Sequence, residues 1–183
     1  CRRFVLASTI AVPGCWNAAW LPPALPIPAN QPCMARDAYG LSKWLMEQEA
    51  HYFARQYPDA GFVILRLSHV RDDAIWQSEL LATDAVTHPW LDLADVMLSD
   101  VLNAFGAALS ATTQPGCRID NVTGPDVRTR EPVATVLRAC FGADADQLDL
   151  SYHRQDGHEF APVYDLERTR ADLSWVPEQS VRP

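Results

Sequence analysis

The 183 residues suffice for one domain with a real core, and with 48% hydrophobic and 21% charged residues the chain reads as soluble and globular. A formal charge of −8 argues against a nucleic-acid partner, whose phosphates would repel it, and no apolar run approaches the roughly 20 residues that a membrane helix needs. Five scattered cysteines, at 1, 15, 33, 117 and 140, form no Cys-x-x-Cys; neither a metal site nor a disulfide framework is indicated, which fits a reducing, cytoplasmic setting.

The chain starts at Cys1 and runs at once into strand formers, which reads as a piece cut from a longer protein. Phe4 to Ala7 predicts a buried parallel strand, ending in the hydroxyls of Ser8 and Thr9. Ligands in open parallel sheets bind beyond the carboxyl ends of strands, so both hydroxyls stand where chemistry is expected. Residues 15 to 36 carry five prolines and predict a stiff surface loop, anchored by Trp16 and Trp20. Asp37 is the expected N-cap of a helix running to Tyr57. Ser42, Met46, Ala50, Phe53, Ala54 and Tyr57 make its apolar stripe; Glu47, Glu49, Arg55 and Gln56 mark its wetter side. Phe62 to Leu67 predicts a second buried strand, completing a βαβ unit. Ser68 to Asp73 follows, again at a carboxyl end, with His69 able to touch a ligand. Ile75 to Ala82 reads as a short helix, Trp90 to Leu93 as a short strand, and Ala94 to Leu109 as a helix. Arg118 to Val122 reads as a strand, Glu131 to Phe141 as a helix and Leu148 to Tyr152 as a strand. A last helix spans Asp165 to Leu173, capped by Asp165.

One stretch concentrates the chemistry. Asp37-Ala-Tyr-Gly-Leu-Ser-Lys43 holds the only lysine; the other fourteen cations are arginines. A lysine kept at one place suits a task that needs a compact point charge rather than a planar fork. Tyr39 lies one helical turn before it, on the same face. A positive charge beside a phenol favours its ionised form, which suits the pair to general acid/base work.

Five stretches in order resemble the extended short-chain dehydrogenase/reductases, NAD-dependent epimerase/dehydratase group. Arg3 to Gly14 resembles the strand that ends in the catalytic Ser/Thr. Pro28 to Pro32 with Asp37 to Lys43 resembles the proline-rich approach and Tyr-x-x-x-Lys helix. Val63 to Val70 resembles the strand under the nicotinamide. Trp90 to Val96 resembles the lead into a substrate-domain helix, and Tyr164 to Glu178 the near-terminal helix and Trp-x-Pro-Glu tail.

The resemblance implies an α/β fold: a partial Rossmann-type parallel sheet with a small C-terminal substrate-binding α/β portion. Residues 1–75 would belong to the NAD(P)-binding domain. Residues 76–183 would be mainly substrate-binding, with return strands to the sheet. The resemblance implies Tyr39 as proton donor and acceptor, assisted by Lys43, which would also bond the nicotinamide ribose. It implies Thr9, with Ser8 as the alternative, to orient the substrate oxygen. Leu67, Ser68, His69 and Val70 would lie along the cofactor, NAD or NADP, with His69 near the substrate. The implied reaction is hydride transfer at a sugar, sugar-nucleotide or uronate-like alcohol, and the whole protein is expected to form a homodimer. A non-catalytic dinucleotide-sensing or scaffold relative is the alternative; the Thr9, Tyr39 and Lys43 set argues against it. The chain departs from the family in lacking the Gly-rich dinucleotide turn, expected ahead of Cys1. Pro13 also replaces a tyrosine, Asn30 stands where an acid is common, and Arg71-Asp-Asp73 replaces Tyr-Gly-Pro. The piece alone is expected to bind dinucleotide poorly and to expose one flank of its first strand, an aggregation hazard.

Overall fold

Two apolar runs separated by an amphipathic one can pair only in parallel, because the intervening helix carries the chain back to its starting edge. The computed structural model, which describes every residue except Ile75, Gln77, Ser78, Thr113 and Pro183, has this arrangement. Strand β1 (Arg3–Thr9) pairs in parallel with β2 (Gly61–Leu67), from Arg3 opposite Gly61 to Thr9 opposite Leu67. Helix α1 (Ala38–Gln56) connects them. On the other side of β2, β5 (Gly116–Val122) pairs from Gly61↔Gly116 to Leu67↔Val122, giving the order β1-β2-β5. Central β2 is buried from Gly61 to Arg66, whereas β1 has a strand on one flank only among the described residues. The strand expected to be buried at Phe4–Ala7 is not: with no neighbour on its outer flank among the described residues, Phe4 and Ala7 are exposed and Val5 and Leu6 half-buried, Phe4 stacking on Phe62 at 4.8 Å.

Helix α1 begins as expected: the Asp37 carboxylate accepts from Gly40 N at 2.7 Å. Its inward face differs from the expected stripe. Gly40, Glu47 and Ala50 are buried, while Phe53 and Tyr57 are exposed. Glu47, assigned to the wet side, has no exposed surface. The cause is Arg66, a cation in the middle of the buried central strand, which needs an opposite charge within reach.

Past β2, β3 (His69–Arg71) pairs in parallel with β4 (Asp95–Met97) in a second, two-stranded sheet. Within the expected helix 75–82, Ile75, Gln77 and Ser78 lie outside the described residues; Leu81 bridges to Thr129 instead. The strand expected at Trp90–Leu93 is a one-turn helix, α2 (Pro89–Asp92). Proline at its start supplies a ready helical φ, and the Asp92 carboxylate accepts from the amides of Thr87 and His88. Helix α3 (Leu98–Ser110) starts later than expected because β4 occupies Asp95–Met97. Helices α4 (Val133–Phe141) and α5 (Glu167–Leu173) form within their expected spans. Asp165 bonds Glu167 N at 2.9 Å but does not cap α5, whose N-cap is Leu166. The strand expected at Leu148–Tyr152 is absent: Leu148 and Leu150 bury without any ladder partner among the described residues, and Tyr152 opens a 3-10 turn.

Three apolar clusters hold these layers together. One joins the proline-rich loop to α2 and α4 through Ile27, Trp90, Leu137 and Tyr164. Within it Trp20 anchors the loop, its carbonyl accepting from the Trp90 indole at 2.8 Å. Trp16, also expected as an anchor, is instead half exposed, edge-on to His88. The other clusters lie on the two faces of the sheet, with Val63, Leu65 and Val101 on one and Ala50, Phe62 and Ile64 on the other. No described helix is long and apolar enough to cross a membrane.

Candidate active site

The carboxyl end of β1 is built as a tight turn. Thr9 Oγ1 accepts from Ala11 N at 3.2 Å, and Ile10 N donates to Leu67 O at 3.0 Å, tying the turn to the end of β2. The first turn of α1 presses directly on it. A Cβ at Gly40 would stand 2.9 Å from Ala11 O and 2.6 Å from Ala35 Cβ, so only glycine permits this approach. Tyr39 and Gly40 are thereby carried to the segment just past Thr9. One turn on, Lys43 Nζ donates to Ala7 O at 2.9 Å and lies 5.9 Å from the centre of the Tyr39 ring. The single ammonium is thus held between a β1 carbonyl and the tyrosine rather than aimed into open water. Tyr39 itself is 53% exposed.

The two candidate hydroxyls are used differently. Ser8 Oγ donates to Glu47 Oε1 at 2.6 Å. Glu47 is also gripped by the Arg66 guanidinium at 2.9 and 2.8 Å, and Arg66 Nη1 donates to the carbonyls of Ala29 and Gln31. This buried network joins β1, α1, β2 and the proline-rich loop. Bidentate geometry and filled acceptors offset the desolvation of both charges. Thr9 takes no part in it, and its own proton has no acceptor among the described residues. Glu47 and Arg66 were not singled out as site residues from sequence. The available signal was an arginine inside an apolar strand, which demands a partner.

Leu67, Ser68, His69 and Val70 follow in sequence at the end of β2. Ser68 Oγ is buried and has no hydrogen-bond partner among the described residues. Val70 is exposed, Leu67 partly so. The His69 ring is open to solvent on one side and has Nδ1 3.7 Å from Asp95 Oδ1. Partial burial, then the Arg71 charge, holds its pKa below the usual 6.5, so the imidazole is neutral near neutral pH. No group of His, Cys, Asp and Glu that could hold a metal occurs among the described residues. A groove of about 740 Å³ lies elsewhere, between the outer flank of β1 and the later turns of α1, lined by Phe4, Leu6, Met46, Phe53 and Tyr57.

No protein-family model and no curated protein matches the sequence. Solved structures match by fold. Glucuronic acid dehydrogenase from Chromohalobacter salexigens aligns with a TM-score of 0.58 and 16% identity, over 98% of this chain and 47% of that one. UDP-glucose 4-epimerase from Bifidobacterium longum, in complex with NAD+ and UDP, gives 0.62 and 14%, over 98% and 60%. A short-chain dehydrogenase/reductase superfamily protein from Agrobacterium tumefaciens with bound NAD gives 0.62 and 19%, over 98% and 63%. The chain spans roughly half to three-fifths of the length of these structures. The likeness is one of architecture: this chain has the Rossmann-type α/β fold found in sugar epimerases and short-chain dehydrogenase/reductase proteins solved with NAD.

Proposed function

We propose that the whole protein is an NAD(P)-dependent oxidoreductase or epimerase acting on a sugar, sugar nucleotide or uronate-like alcohol. In this reading residues 1–75 supply the catalytic end of the dinucleotide-binding domain and residues 76–183 mainly the substrate side. The observation that carries the proposal is the seating of the only lysine between Ala7 O and the ring of Tyr39, at the carboxyl end of β1.

The residues suit a nicotinamide cofactor at this end of the sheet. The buried Ser68 hydroxyl, without a partner among the described residues, is a polar group in want of a ligand, and Lys43 offers donors to a ribose. The pyrophosphate is another matter, since residues 1–183 contain no Gly-x-x-Gly-x-x-Gly turn. Bound nicotinamide supplies a hydride acceptor or donor. The chain's own part is the proton: as the substrate carbon loses hydride, its hydroxyl must lose a proton, and Tyr39 is the base that takes it and later returns it. Lys43 stabilises the charge that develops on the phenol oxygen. Thr9, whose proton has no acceptor among the described residues, orients the substrate oxygen, while Ser8 serves the Glu47–Arg66 network. A cytoplasmic homodimer completes the reading, supported by the scattered free thiols and by exposed Leu41, Leu45 and Tyr52 on α1.

The test is Tyr39→Phe in the protein expressed with the sequence encoded ahead of Cys1. NAD(P) binding should persist while turnover falls about 10²- to 10⁴-fold, the usual contribution of a general acid/base. Turnover within twofold of wild type would remove Tyr39 from the mechanism.

A further inference from the structure

Tyr39, Lys43 and Glu47 follow one another at four-residue steps, so they stand in a row along one face of α1. The row touches consecutive residues of β1. Lys43 Nζ donates to Ala7 O at 2.9 Å, and one turn on Glu47 Oε1 accepts from Ser8 Oγ at 2.6 Å. The next β1 residue is Thr9. Ser8 lies opposite Arg66 in the parallel ladder, and Arg66 Nε donates to the same Glu47 oxygen at 2.9 Å. One carboxylate oxygen therefore holds two adjacent strands just before both of them end at the site.

Stability alone does not call for this pair. Glu47 is 0% and Arg66 2% exposed, and for ions so far out of water apolar side chains of similar volume serve as well or better. What apolar packing does not supply here is position along the helix axis. The buried residues of α1 are Gly40, Glu47 and Ala50, and the glycine and alanine are too small to lodge between neighbours. Gly40 limits how closely the helix approaches Ala11 O but does not stop it sliding. Directional bonds of fixed length do. Glu47 is gripped from two strands, and Arg66 Nη1 is itself held by the carbonyls of Ala29 and Gln31, so the anchor does not drift.

We propose that Glu47, held by Ser8 and Arg66, is a positioning residue: it sets the axial register of α1 on β1 and so places Tyr39 against the end of β1, where Thr9 stands. This rests on the proposed function for the reaction that Tyr39 and Thr9 serve; the register itself is a property of the fold. A slide of one residue moves a helix by about 1.5 Å along its axis. A misplacement of about 1 Å at a reacting group costs about 10²-fold in rate. Glu47 thus acts on the chemistry from two turns beyond Tyr39, with no exposed surface of its own.

The test uses the protein expressed with the sequence encoded ahead of Cys1. Glu47→Leu combined with Arg66→Met removes the ion pair and keeps most of the volume. A pair that served stability alone would give back turnover together with stability. The expected result separates the two: a urea midpoint near that of wild type, kcat lower by about 10²-fold, and a change in KM of less than about threefold. A crystal structure of the variant should show Tyr39 Oη moved by about 1 Å or more relative to Thr9 Oγ1. Should the double variant not fold, Glu47→Asp serves instead. It keeps the charge, shortens the arm by one methylene, and should lower kcat about tenfold or more with the fold intact. Turnover within about threefold of wild type in either folded variant, or an unmoved Tyr39, would overturn the proposal. If the wild type converts no sugar-like alcohol, the proposed function falls, and the separation of Tyr39 from Thr9 alone decides the register.

Discussion

Asp120→Asn offers a measurement in which the physics of one buried acid can be isolated. Asp120 sits on β5 with no exposed surface, and neither carboxylate oxygen receives a hydrogen bond from a described donor, while the Asp172 carboxylate lies close enough to accept one from the protonated acid. Arg168 is nearby, but its Nε stands 3.9 Å away. Burial first, and the Asp172 carboxylate second, push the Asp120 pKa from 3.8 up to about 7, with Arg168 and Arg118 pulling the other way. The native protein therefore holds this proton where the unfolded chain has released it. The contribution of Asp120 to stability therefore falls as pH rises from about 4 to about 7, and levels off above. At about 1.36 kcal/mol per pH unit, the whole interval caps the loss at about 4 kcal/mol. Asparagine keeps the shape and cannot ionise. Urea unfolding of both proteins at about pH 5 and about pH 8 is the assay, read as the difference between variant and wild type so that other titrating groups, His69 and His153 included, cancel. Of that interval the step from about pH 5 to about pH 8 spans about two units, so the variant should gain on the wild type by up to about 2.6 kcal/mol between the two pH values. An unchanged difference would refute the assignment of a protonated Asp120 in the native state.

Further substitutions test the packing around the candidate site, with one control on α3. Glu47→Ala strands a buried arginine and should cost about 3–5 kcal/mol in unfolding free energy, whereas Glu47→Leu combined with Arg66→Met should recover much of that loss in the same assay. Gly40→Ala drives a methyl into Ala11 O and Ala35 Cβ and should destabilise by about 1–3 kcal/mol. Gly106→Ala, on the exposed face of α3 with nothing within 4 Å of the added carbon, should instead raise stability by about 0.5–1 kcal/mol; thermal melts of the pair check both signs. Tyr39→Phe completes the set, separating loss of turnover from loss of stability.

The sequence by itself determined the elements whose causes are local. The runs at Phe4–Ala7 and Phe62–Leu67 are apolar over a strand's length, so they pair wherever a crossover lets them. Asp37 caps because its carboxylate reaches an amide three residues on. The Tyr39–Lys43 spacing is a helical neighbourhood needing no tertiary contact. What only the tertiary structure decided are the polar groups whose partners come from afar. Glu47 reads as a solvated glutamate until Arg66, on another element, turns it inward. Leu148 and Leu150 alternate like a strand, yet no neighbour among the described residues offers a ladder. The Asp95 carboxylate gathers Arg71 and Arg128 from 24 and 33 residues away, and no window along the chain contains all three. A charge in a buried place is stable only with its opposite beside it, and the opposite can come from anywhere in the chain that the fold brings near.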